Sequence, residues 1–195
     1  MMTKLSADHF SEAERLTINV VCWALGVCGF MMILACDSFL DIAFSGETVL
    51  RTPPLEGAFR AAMVAFVASF IGKMYVDALR ERKPTNDAEK EKQSFFNEVA
   101  SHWETDEKFG KMLDVYFDKS SVFELLILVA GSIFTLLAIV SLPVVIVVGL
   151  MNGNTGSGMT AINFFVISLT DGLGFLSLWA ATQIFRFQNF AGIRG

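Results

Sequence analysis

Long apolar runs separated by shorter polar intervals dominate this chain. Four runs stand out, at about residues 16–40, 57–79, 122–151 and 159–185. A helix needs about 20 apolar residues to cross about 30 Å of hydrocarbon, and three of the runs reach that length. The second is weaker, because its longest uncharged stretch runs only from Ala61 to Gly72. The long side chains of the flanking Arg60 and Lys73 can nevertheless extend toward the interfaces. The pattern predicts an all-α polytopic membrane protein, with four transmembrane helices in one domain, residues 1–195.

The interval between the second and third runs, residues 80–121, carries a different pattern. Asn86 followed by Glu89 is typical of a helix start. Large apolar residues then recur at helical spacing, which predicts one long amphipathic helix or two helices broken near Thr105. The candidate docking residues on this face are Phe95, Phe96, Val99, Trp103, Phe109 and Tyr116.

The charge of this amphipathic segment indicates what its apolar face contacts. From residue 85 to residue 121 it has nine acidic and five basic residues. A helix that lies on an anionic membrane surface is normally basic. The apolar positions are therefore expected to face one another, a neighbouring subunit or a cytoplasmic protein.

Orientation follows from the lysines and arginines, which concentrate in cytoplasmic loops of membrane proteins. Of the fifteen, twelve fall in the N-terminal tail, the 80–121 segment or the C-terminal end; they are Lys4, Arg15, Arg80, Arg82, Lys83, Lys90, Lys92, Lys108, Lys111, Lys119, Arg186 and Arg194. Both termini are therefore predicted to be cytoplasmic, and the bacterial inner (cytoplasmic) membrane is the expected location.

Small residues within the runs predict close helix packing. Ala61, Ala65, Ala68 and Gly72 form a smooth stripe on the second helix, and Gly26 with Gly29 forms a shorter one on the first. The spacing alone leaves open whether these stripes pack within one protomer or between subunits. At the start of the first helix, Ser11-Glu12-Ala13-Glu14 has the capping-box pattern.

Composition narrows the chemistry. Hydrophobic residues make up 53% of the chain and charged residues 18%, against about 25% charged in soluble domains. The net charge of −5 disfavours nucleic-acid binding. The two histidines, His9 and His102, lie outside the apolar runs, and the three cysteines are read as packing residues of the first helix. No catalytic set, metal site or cofactor is predicted, and the chain is not expected to be an enzyme.

Asp171 is the residue most out of place, a lone carboxylate near the middle of the fourth run, in Thr-Asp-Gly-Leu-Gly. Charged groups at membrane depth are costly and face the bundle interior or water. Three interpretations remain open: a structural acid bonded locally or to a basic partner on the second helix, a group lining an ion or proton pathway, or a cap where the helix is interrupted. Lys73 is the natural basic partner, although Asp77 lies one turn from it. Gly172 and Gly174 allow another helix to approach the carboxylate closely.

A second group of charges lies at the opposite end of the helices. Asp37 and Asp41 close the first helix, and Arg60 opens the second, one turn after Glu56. This outer-face cluster is consistent with an interfacial salt bridge or with a charged vestibule in an oligomer.

Two functions follow. The first is a non-enzymatic integral-membrane subunit of a larger oligomeric assembly, such as a channel, a secretion or conjugation apparatus, or a respiratory-type complex. The alternative is a small homo-oligomeric ion or proton channel or transporter with Asp171 in its pathway. The expected partners are the lipid bilayer and other membrane subunits, of this chain or of others, with a cytoplasmic protein possible at residues 85–121.

Overall fold

The computed structural model describes residues 6–45, 53–81, 83–103, 121–152 and 156–193. In these ranges the chain forms a short 3-10 turn, Ala7–His9, and five α-helices. The helices are α1 (Glu12–Ser45), α2 (Pro53–Glu81), α3 (Asp87–Trp103), α4 (Val122–Asn152) and α5 (Gly156–Phe190).

Four of these helices are long and apolar enough to cross a membrane. Their candidate spans are Glu12–Ala35, Glu56–Glu81, Val122–Val148 and Ala161–Asn189. Each overlaps one of the four predicted runs, so the prediction of four helices able to span a membrane is confirmed, including the weak second one. The long apolar helices indicate an integral membrane protein.

Side-chain caps fix where the helices begin. The Ser11 backbone N–H donates to Glu14 Oε2 at 2.7 Å, and the Glu14 N–H donates to Ser11 Oγ at 3.3 Å. The capping box predicted for α1 is therefore present. Asn86 Oδ1 likewise accepts from the Glu89 N–H at 2.8 Å, so the predicted start of α3 is also confirmed. These bonds satisfy amide groups that the first turn of a helix leaves without a backbone partner.

The four long helices run up and down in a row. α1 and α5 form the centre, α2 packs mainly on α1, and α4 packs on α5. A buried core joins α1, α2 and α5. It consists of Val21, Leu25 and Met32 of α1, Ala65 and Ala68 of α2, and Ala181 of α5. The small-residue stripe of α2 thus packs inside the protomer at Ala65 and Ala68, which answers a question that the sequence left open.

Glycines bring the central helices into backbone contact. A Cβ atom on Gly29 of α1 would lie 2.7 Å from the Gly174 carbonyl oxygen and 2.8 Å from the Leu178 amide nitrogen. A Cβ atom on Gly172 would lie 2.5 Å from Thr135 Oγ1 and 2.8 Å from the Thr135 amide nitrogen of α4. No larger residue fits at either crossing unless the helices separate.

Large apolar side chains cover the outside of the row. On α2, for example, Phe59, Phe66 and Phe70 are more than half exposed, and on α4 so are Leu136 and Val140. Apolar exposure on this scale is unusual for a soluble protein. These faces are instead suited to contact with lipid.

The 3-10 turn, α3 and the residues after α5 meet at one end of the row. Phe10, Phe95, Ala191 and Ile193 form a buried cluster there, with Phe187 packed against it. The Phe10 and Phe187 rings meet edge to face, with centroids 5.9 Å apart. The first and last described segments of the chain therefore lie on the same side of the helices as α3, which we call the α3 end.

Candidate functional site

Asp171 lies on α5 and is 9% exposed. α5 is continuous from Gly156 to Phe190. The interpretation in which the Thr-Asp-Gly-Leu-Gly stretch interrupts the helix, with Asp171 as a cap, is therefore wrong. Glycine is permissive rather than obligatory at a break, and here its lack of a side chain serves helix contact.

The two helix crossings enclose the Asp171 region. Gly172, the next residue, touches Thr135 of α4, and Gly174 touches Gly29 of α1. The rings of Phe134 on α4 and Phe175 on α5 stack beside these crossings, with centroids 5.9 Å apart and an angle of 8° between their planes. The close approach expected at Gly172 and Gly174 is present, and it puts helices against both sides of this stretch of α5.

Other polar side chains of α5 are buried within the same apolar span. Asn163 is 2% exposed and Ser168 is 3% exposed. Both Asn163 and Asp171 take part in polar or electrostatic interactions within the protein. Because buried polar groups without partners are costly in a membrane, this internal engagement is what allows α5 to carry them.

The predicted basic partner lies in a different setting. Lys73 and Asp77 are exposed on α2, and α2 packs mainly on α1 rather than on α5. Asp171, by contrast, is buried on α5. The structure therefore does not gather these three residues into one buried cluster.

The outer-face cluster is only partly described. Arg60 pairs with Glu56 one turn earlier on α2, and both side chains are more than 60% exposed. Asp37 and Asp41 lie on α1, but their side chains are outside the described part of the structure. An exposed pair of this kind contributes little to stability, about 0.3–0.5 kcal/mol for an i,i+4 helix pair.

The candidate docking residues also divide into described and undescribed positions. Phe95 is 8% exposed, and its ring centroid is 6.0 Å from that of Phe187. Phe96 lies 6.1 Å from Phe187 by the same measure. Val99 and Trp103 lie on α3, but their side chains are not among the described ones. Phe109 and Tyr116 lie outside the described residues altogether. The described part of the α3 face thus contacts the protomer itself.

A polar cluster at the α3 end was not anticipated from the sequence. Lys92 Nζ donates to Glu14 Oε1 at 2.9 Å and to Glu14 Oε2 at 3.1 Å. The Tyr75 hydroxyl donates to Glu14 Oε1 at 3.1 Å. Lys92 Nζ also lies 5.2 Å from the centroid of the Phe10 ring, within range of a cation–π contact. The cluster ties α1, α2 and α3 together around one carboxylate.

The spacing of Lys92 from nearby aromatic residues indicated that it could be buried. Lys92 precedes Phe95 and Phe96 by three and four residues, which places all three on one face of α3. A lysine on an apolar face needs an acidic partner. The identity of that partner, Glu14, could not be read from local spacing.

Two further polar pairs join α5 to its neighbours near the α3 end. Gln188, 1% exposed, donates to Asn19 Oδ1 of α1 at 2.7 Å. Arg186 Nη2 lies 2.7 Å from Glu124 Oε2 of α4. That oxygen accepts no well-directed hydrogen bond, so charge rather than directional bonding holds the second pair.

Within the described ranges, no group of three or more histidine, cysteine, aspartate or glutamate side chains is arranged to hold a metal ion. The polar contacts described at the α3 end join helices to one another. Comparison of the chain with protein-family models, curated proteins and solved structures finds no match.

Proposed function

We propose that this protein is a non-enzymatic integral-membrane subunit of a larger oligomeric assembly. The observation that carries the proposal is the location of Asp171, 9% exposed and next to two close helix crossings within the protomer. In a homo-oligomeric pore that uses this carboxylate, the side chain would instead face a shared axis or water. The interior position favours the subunit over the channel.

The open row supports a place within an assembly. In the described ranges, α4 packs substantially only on α5, and α2 mainly on α1. Each edge helix therefore presents a broad apolar face, which can meet lipid or another membrane helix. Association between helices in a membrane depends on such packing contacts.

The proposed location is the bacterial cytoplasmic membrane, with the α3 end on the cytoplasmic side. The twelve basic residues of the tails and of the 80–121 segment support this orientation. The two described tail segments and α3 meet at one end of the helices, which is consistent with it.

Native mass spectrometry of the complex extracted from its own membranes tests the proposal. Two copies of the chain with different affinity tags should be co-expressed, and either tag used for capture. We expect each captured complex to contain at least one other kind of membrane chain besides the 21.5 kDa protomer. Complexes whose masses are only multiples of the protomer, with both tags present, would support the homo-oligomeric channel instead.

A further inference from the structure

A groove opens between α1 and α4 near the α3 end, with α5 as its floor. Its volume is about 610 Å³, within the roughly 300–1,000 Å³ range of small-molecule sites. The floor is formed by small residues, since Gly26 of α1 lies beside Ala181 of α5. In the described part of the chain, the groove exists because α1 and α4 both pack on α5 without packing substantially on each other.

The walls of this groove are apolar and exposed. Trp23 on α1 is 67% exposed, Phe123 on α4 is 64% exposed, and Phe185 on α5 is 39% exposed. These rings fit the flank of a hydrocarbon chain.

Both signs of charge lie at one end of the groove. Glu124 and Arg186 line it and approach each other to 2.7 Å. The Arg186 side chain is 37% exposed and the Glu124 side chain 14% exposed. Glu124 is near the start of the Val122–Val148 candidate span and Arg186 is near the end of the Ala161–Asn189 candidate span, so the charged pair lies at the ends of both.

We propose that this groove binds one phospholipid with a phosphoethanolamine headgroup, whose acyl chain lies along the aromatic walls. The lipid phosphate contacts the Arg186 guanidinium, which suits phosphate geometry. Glu124 Oε2 is buried beside Arg186, so the primary ammonium donates its hydrogen bond to Oε1 of that carboxylate. The proposal is independent of the proposed function.

The charge balance selects this occupant. An anionic lipid would gain from Arg186 but be repelled by Glu124, whereas a zwitterionic headgroup complements both. A choline headgroup carries no N–H donor for the carboxylate.

The test is a lipid titration of purified, delipidated protein in detergent, read by native mass spectrometry. The probes are phosphatidylethanolamine, phosphatidylcholine and phosphatidylglycerol with identical acyl chains. We expect one phosphatidylethanolamine per protomer, bound about tenfold more tightly than either other lipid. Glycerophosphoethanolamine, the headgroup without acyl chains, should not compete.

Paired variants separate the two ends of the site. Replacing both charges, Glu124→Gln with Arg186→Gln, should abolish the headgroup preference without leaving an unpaired charge. The control is Glu56→Gln with Arg60→Gln, which removes an exposed glutamate–arginine pair from α2 and should leave lipid binding unchanged.

The acyl-chain end of the site is tested separately. Gly26→Leu should weaken binding of all three lipids about tenfold by filling the groove. If that variant does not fold, Trp23→Ala, on an exposed wall, should weaken all three lipids equally.

Three results would overturn the proposal. The first is equal affinity for the three headgroups in the wild-type protein. The second is an unchanged preference in the Glu124→Gln, Arg186→Gln protein. The third is a co-purifying polypeptide, instead of a lipid, that covers Trp23. This result would assign the groove to a protein partner.

Discussion

Lys92 of α3 places its ammonium group 2.9 Å and 3.1 Å from the two carboxylate oxygens of Glu14, at the start of α1. The Lys92 side chain is 5% exposed and that of Glu14 is 22% exposed. An ion pair removed from water to this degree depends on both partners. The pair therefore fastens α3 to the end of the membrane helices.

Lys92→Ala is expected to release α3. Loss of one partner from a buried pair costs about 3 kcal/mol, which corresponds to about a hundredfold loss of protection. Hydrogen–deuterium exchange across residues 87–97 in detergent or nanodiscs measures this directly. The nearby Lys90→Ala is the control, because Lys90 pairs with Asp87 and both side chains are more than 60% exposed. Equal exchange in the two variants would show that the Lys92 pair does not hold the helix.

The crossing of α1 and α5 gives a second prediction. Gly29→Ala puts a methyl group 2.7 Å from the Gly174 carbonyl oxygen, and a backbone atom cannot turn aside as a flexible side chain can. We expect a loss of about 1–3 kcal/mol, the usual cost of overpacking. The unfolding midpoint in a denaturing detergent is the appropriate measurement.

Gly72→Ala is the matched control for this crossing. Nothing lies within 4 Å of the position that its Cβ would take, and alanine favours a helix over glycine by about 0.5–1 kcal/mol. The control should therefore be neutral or slightly stabilising. A Gly29→Ala protein as stable as the Gly72→Ala protein would contradict the close crossing.

Local sequence signals predicted some features of this molecule, whereas contacts between distant residues could not be predicted. The apolar runs and the caps at Ser11 and Asn86 are local signals, and they located the membrane helices and two helix starts. The small residues of α2 predicted a close contact, but choosing between a neighbour in the protomer and another subunit required the helix order in space. The Glu14–Lys92 pair joins residues 78 positions apart, so local spacing could not reveal it.

The candidate site shows the same division. Composition singled out Asp171, because a lone carboxylate in an apolar run is conspicuous. Glycine next to it was compatible with both a helix break and a helix contact, and only the Gly172–Thr135 and Gly174–Gly29 crossings distinguish them. The Arg186–Glu124 pair was missed because each residue sits at the edge of an apolar run, where a charge is ordinary.

The orientation of the α3 end gives a third prediction. In a background without native cysteines, Lys83→Cys lies just before α3, and Gly156→Cys opens α5 at the other end of the row. A membrane-impermeant thiol reagent applied to intact cells should label only the Gly156→Cys protein. The Lys83→Cys protein should react after permeabilisation. Labelling of Lys83→Cys in intact cells would place the basic segments outside and contradict the proposed topology.

The role of Asp171 gives the fourth prediction and the most direct test of a non-conducting subunit. The measurement is the flux of protons and potassium ions into vesicles containing purified wild-type protein or Asp171→Asn at equal density. Because the carboxylate is buried within the protomer and an amide keeps its shape, both proteins should fold and leave flux at the level of protein-free vesicles. Wild-type vesicles that conduct, with at least tenfold lower flux in well-folded Asp171→Asn, would contradict the claim and place the carboxylate in an ion pathway.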